Sequence, residues 1–97
     1  MYRFETAVWR HTGEAAWYFA TLPGDVSDDI EARTVESRRG FGSVRVRVRV
    51  GATTWVTSVF PDTKAQAYVL PVKKQVRHAE GIGDGDTVRI ELELLDP

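Results

Sequence analysis

Residues 71–77 read PVKKQVR, so two lysines follow closely on a proline able to open a helix. Proline's fixed φ suits the first helical turn, and its missing N–H costs nothing there. Lys73 and Lys74 would then face the positive end of the helix dipole, where exposed cations lose roughly 0.3–1 kcal/mol each. The same helix end offers free N–H groups to an anion. Arg77 stands at i+4 from Lys73, and Lys64 lies upstream. Lys64, Lys73, Lys74 and Arg77 are therefore the candidate set for an anion or phosphate site. The plainer alternative is a solvated helix face whose lysines pair with neighbouring carboxylates.

A second basic feature is VRVRVRV, residues 44–50, in which Arg45, Arg47 and Arg49 alternate with four valines. Side chains of an extended chain point to opposite faces in turn, so this is a strand with one apolar face and one row of guanidinium groups. That row is either a phosphate-binding surface or the wet side of a sheet. Glu5, Glu91 and Glu93 occupy the charged parity of other candidate strands, and opposite charges across neighbouring strands contribute roughly 0.2–1 kcal/mol a pair. The acids favour the sheet reading. Thirteen Lys and Arg against fourteen Asp and Glu leave a formal charge of −1. Dedicated nucleic-acid binders are usually basic throughout, so positive surface here is local and a nucleic-acid partner is disfavoured.

Other chemistry is sparse. Two histidines, His11 and His78, cannot furnish a three-histidine zinc site, and no HExxH, CxxC, P-loop or GxGxxG pattern occurs. Ser58 has no local motif that would make it a triad nucleophile. Asp84 and Asp86 alternate with Gly83 and Gly85, yet the twelve-residue ligand spacing of a calcium loop is missing and turn chemistry explains them. No catalytic residue, metal or cofactor is assigned, and the leaning is away from an enzyme. Trp17, Tyr18, Phe19, Trp55, Phe60 and Tyr68 could stack on bases or sugars, but filling a small core is the expectation for them.

These residues must be positioned by the elements that the periodicity predicts. Strands are expected at 2–9, where Tyr2, Phe4, Thr6 and Val8 share one face, and at 15–22, a run apolar on both parities that suits a strand covered on both sides. A short helix follows in DVSDDIEARTVE, with Asp25 as N-cap, Asp28 and Asp29 in the first turn, and Val26, Ile30 and Ala32 or Arg33 as its apolar stripe. ESRRGFGS interrupts. Strands 44–50 and 53–60 form a hairpin about Gly51-Ala52, and 66–70 is a short strand. The second helix runs from Pro71, with Val72, Val76 and Ala79 on one face and Gly81 closing it. A Gly-Asp turn leads into the last strand, TVRIELELL.

One hundred residues cannot supply two sheets plus covering helices, whereas a barrel buries one face of every strand and removes unpaired edges. The expected fold is mainly β: a single domain over 1–97, a six- to seven-stranded, largely antiparallel, closed or partly closed β-barrel with two short helices. The absence of cysteine and of any apolar run long enough to span a membrane argues for a soluble cytoplasmic protein without membrane contact.

WYFATLP, GFGSVRVRVRVG, TSVFPDTKAQAYVLPVKKQVRHAEGI and GDGDTVRIELEL, in that order, resemble a small β-barrel family of unknown function, sometimes fused to a bacteriocin-protection (YdeI/OmpD-associated) domain. The resemblance spans nearly the whole chain. It implies a six- to seven-stranded barrel and brings no activity, cofactor or catalytic residues. One departure is Ala65-Gln66-Ala67, where the family resemblance implies a glycine-containing loop before the tyrosine. The stretch LPVKKQVRHAEGIGDGDTVRIELE also resembles swapped-hairpin transcription factors related to antitoxins, in the order of its elements alone. The leading functional expectation is a non-enzymatic binding module for an anionic small molecule or an acidic partner. The alternatives are an enzyme of unknown reaction and an antitoxin-like DNA-binding protein.

Overall fold

The valine–arginine alternation is realised as a strand, Val44–Val50, whose four valines are buried and whose three arginines are exposed. The computed structural model describes residues 1–13, 16–36 and 42–95. In chain order the elements are β1 (Tyr2–Arg10), β2 (Tyr18–Thr21), α1 (Gly24–Thr34), β3 (Val44–Val50), β4 (Thr53–Asp62), β5 (Ala67–Pro71), α2 (Lys74–Glu80) and β6 (Thr87–Leu94). Much of the loop expected at ESRRGFGS lies outside the described residues, as does Ala15 of the expected second strand.

The six strands close into an antiparallel barrel in the order β1-β2-β5-β4-β3-β6. Closure depends on the two longest strands, which change partners along their length. β1 pairs with β6 through Tyr2–Ala7 and with β2 through Val8–Arg10. β4 pairs with β3 through Thr53–Val59 and with β5 through Phe60–Asp62. Every strand is therefore bonded on both sides and no edge is left open. β5 and β6 are not neighbours, so the ends compared with a swapped hairpin are separate staves of one barrel. Inside, Val8, Ala20, Val46, Val48, Val59, Leu70, Ile90 and Leu92 are fully enclosed.

α1 caps the barrel, with corrections to the expected details. It begins at Gly24 after Pro23, which makes no side-chain cap, so Asp25 lies within the first turn and Asp28 and Asp29 fall beyond it. Its buried stripe is Ser27, Ile30 and Thr34, while Ala32 and Arg33 are exposed. Polar residues are tolerated on that stripe because each is hydrogen-bonded. Ser27 Oγ accepts the Tyr68 N–H at 3.0 Å, and the Thr34 hydroxyl donates to the Ile30 carbonyl at 2.7 Å. Asp29 instead accepts from the Tyr2 hydroxyl at 2.5 Å and from Arg33 Nε at 2.8 Å, tying α1 to β1. Burial, and then the Asp29 hydrogen bond, push the Tyr2 hydroxyl up to about 12. The same bond, with Arg33 second, holds Asp29 below its ordinary value.

Pro71 does not open α2. It ends β5 opposite Phe19, and Val72 N–H extends that ladder to the Tyr18 carbonyl at 2.9 Å. The bonded positions toward β2 are those of the parity of Tyr68 and Val72, so the backbone nitrogen of Pro71 faces away from β2 and no bond to that strand is lost. The helix starts three residues later, with Lys73 as an extended N-cap lacking a side-chain bond. Val72 and Val76 are buried but Ala79 is exposed. Gly81 closes the helix in the left-handed conformation, as expected, with φ 65.

Candidate functional site

The outer surface of the barrel divides into two unlike faces, and the pairing register explains both. Over β1, β6 and β3 the outward parity is charged. Arg47 opposes Glu93 and donates to it at 2.7 Å; Arg89 opposes Glu5 at 3.4 Å; Arg3 opposes Glu91 at 3.1 Å. Arg49 also opposes Glu91, but its Nε donates to the Gly51 carbonyl at 3.0 Å. The Arg45 side chain makes no ion pair among the described residues, and its own backbone carbonyl accepts the Leu95 N–H at 3.1 Å. Two of the three arginines in the row are thus engaged by a carboxylate or a carbonyl within the sheet.

Over β2, β5 and the ends of β1 and β4 the outward parity is mostly apolar, with aromatics supplied by β1, β2 and β4. Trp9 opposes Phe19, and Phe60 opposes Val69. The alternation that sends Val8, Ala20, Val59 and Leu70 into the core sends Trp9, Phe19, Phe60 and Val69 out. These side chains, with His11, Gly13, Trp17, Pro61 and Asp62, line an open cleft of about 640 Å³. Val69 is only 7% exposed although it points away from the barrel interior and stands apart from the main core, because the aromatics around it form the walls. Trp17 and Phe60 remain 54% and 41% exposed.

The walls are held in place. Trp9 Nε1 donates to Thr21 Oγ1 at 2.8 Å, which orients the indole. Trp9 and Phe19 meet with ring centroids 5.1 Å apart, Trp17 lies nearly parallel to Phe19 at 6.2 Å, and His11 stands edge-on to Phe19 at 6.3 Å. Such ring pairs contribute about 0.5–1.5 kcal/mol beyond their buried area. Asp62 Oδ1 accepts the Lys64 N–H at 3.0 Å in the following turn, leaving its other oxygen without a partner among the described residues.

The structure places the basic residues expected as a site in different roles. Lys73, Lys74 and Lys64 are exposed and make no side-chain bond among the described residues. Arg77 is turned inward: its guanidinium lies 3.8 Å from the centroid of Tyr18, and its Nε donates to the Val72 carbonyl at 3.2 Å. Asp84 and Asp86 serve the turn before β6, accepting from Arg10 N–H and Gly83 N–H at 2.9 and 2.8 Å. No group of three potential metal ligands occurs among the described residues.

Of the six aromatics expected to fill the core, Tyr18, Trp55 and Tyr68 pack in or against it, whereas Trp17, Phe19 and Phe60 line the outer cleft. Part of the signal was present in the sequence. Trp9 shares the parity of Arg3 and Glu5, and Phe60 has the parity opposite to Trp55 and Val59, so both had to point outward. The run 15–22 suits a strand covered on both sides, but no described residue covers the outer face of β2, and Phe19 faces the open cleft.

Compared with known protein families, the chain matches the model described as Domain of unknown function (DUF1905) over residues 4–92. No curated protein matches it.

Proposed function

Since the chain belongs to the DUF1905 family, whose description assigns no activity, we propose from its own surface that it is a non-enzymatic binding module receiving a small organic ligand in the aromatic cleft. The observation that carries this reading is the burial of Val69 on the outer face of a closed barrel, at the floor of a cleft walled by four aromatic side chains. A barrel needs no aromatic on that face for its own core. Small-molecule sites are typically concave, mostly apolar and roughly 300–1,000 Å³, with a few polar groups. The cleft meets that description, with His11 and Asp62 as its polar groups.

A binding role is favoured over catalysis by the lining. Among the described residues it contains no hydroxyl, thiol or amine, and its two ionisable side chains, His11 and Asp62, stand beside no such nucleophile. Backbone-amide NMR spectra recorded against a library of small aromatic and aliphatic fragments test the proposal. Hits are expected to move the amides of residues 9–11, 17–19, 60–62 and 69. Trp17→Ala and Phe60→Ala should abolish those shifts with little loss of stability, both side chains being substantially exposed. Fragments that gather at other residues, or bind both variants unchanged, would remove this reading.

A further inference from the structure

We propose that the ligand of this cleft is an organic cation of the trimethylammonium type, an inference that rests on the binding role just described. Eleven lysines and arginines fall among the described residues, and none of these lines the cleft. Among the described residues its one formally charged lining residue is Asp62, two positions along β4 from Phe60 and so on the same outward parity. Another surface cleft, of about 540 Å³, has Arg49 and Arg89 in its wall together with Glu5 and Glu91. Basic residues thus enter other clefts of the barrel surface but not this one or the neighbouring one that shares Pro61 and Asp62.

The walls have the same electrostatic sign as the carboxylate. Aromatic rings present a negative quadrupole on their faces, and a cation within about 6 Å of a ring centroid is attracted to it. Trp9, Phe19, Trp17 and Phe60 offer several such faces around one opening. Trp9 spends its indole N–H on Thr21, leaving its ring rather than its donor for a ligand. A trimethylammonium head presents methyl groups to the rings and carries its charge with no N–H donor to satisfy, which suits a lining that is mostly apolar. The Asp62 oxygen left free by Lys64 N–H stands at the rim to complement that charge. The Lys64 side chain is exposed and forms no ion pair with Asp62.

Three molecules of nearly one shape separate charge from shape: choline, its uncharged isostere 3,3-dimethyl-1-butanol, and the anion 3,3-dimethylbutanoate. Each is titrated into the intact protein while tryptophan fluorescence and the amides of residues 9–11, 17–19 and 60–62 are followed. Choline is expected to bind roughly tenfold more tightly than the alcohol, and the anion most weakly of the three. Asp62→Asn, which retains an acceptor for Lys64 N–H, should weaken choline severalfold and leave the alcohol unchanged. Trp17→Ala should weaken both. If all three bind the cleft equally, the preference for a cation is overturned while the binding role stands. If the anion binds best, the sign of the site is wrong. If none perturbs the cleft while other fragments do, the cation inference again fails alone, and if no fragment binds there both fail.

Discussion

Gln66 sits in the turn between β4 and β5 at φ 52, and among the described residues it is the one non-glycine residue with positive φ. An L-residue in this left-handed region is destabilised by about 1–2 kcal/mol. Its side chain is exposed and makes no hydrogen bond among the described residues, so truncating it removes no contact. Gln66→Gly relieves the backbone term but frees the unfolded chain, which offsets about 0.4–1 kcal/mol. The net expectation is a stabilisation of about 0.5–1 kcal/mol. For a chain of this size 1 kcal/mol moves Tm by about 4–8 °C, so Tm should rise by roughly 2–8 °C. Gln66→Val, β-branched and poorly suited to positive φ, should lower it by a comparable amount. Thermal unfolding followed by circular dichroism, checked by urea midpoints at unchanged slope, measures both. A drop in Tm for Gln66→Gly would refute the reasoning, because the glutamine side chain would then have to be holding the turn.

Tyr68 is buried with a hydroxyl that has no partner among the described residues. Tyr68→Phe should therefore be neutral or stabilising by up to about 1 kcal/mol in denaturant unfolding, and a loss beyond about 1 kcal/mol would mean that a water or another group satisfies it. Tyr2 and Asp29 give opposite pH limbs. A hydroxyl raised to about 12 from its ordinary 10.0 contributes stability below pH 10 that is lost as pH rises through 12. Asp29, lowered from 3.8, contributes stability above that value that is lost as pH falls through its depressed pKa. The stability gap between wild type and Tyr2→Phe should accordingly narrow at both extremes in urea midpoints measured across pH, and a gap independent of pH would contradict the contact. A double-mutant cycle on Arg47→Ala and Glu93→Ala should return a coupling of about 0.2–1 kcal/mol that shrinks in 1 M salt, since both side chains are about half exposed.

The inward faces of β1, β3 and β6 were legible residue by residue, because in each of them apolar and polar side chains alternate and burial follows that parity. Gly81 as a helix stop and Gly51-Ala52 as a hairpin turn were equally readable, since each position demands a backbone conformation that glycine supplies. The start of α2 was not. Pro71 suits a helix start and a strand end alike, and pairing with β2 decided for the strand. Asp25 failed as a cap because the helix begins one residue earlier, at Gly24. The candidate site was legible only in fragments: parity put Trp9 and Phe60 outside, but nothing local placed them together. Trp9 and Phe60 are 51 positions apart, and they share a cleft only because β2 and β5 lie between β1 and β4. Periodicity along a strand is a local property, so the chain alone determined which face each side chain takes. Which strands become neighbours is set by barrel closure, and that long-range choice alone turned scattered outward aromatics into one walled cleft and the outward arginines and glutamates into paired charges.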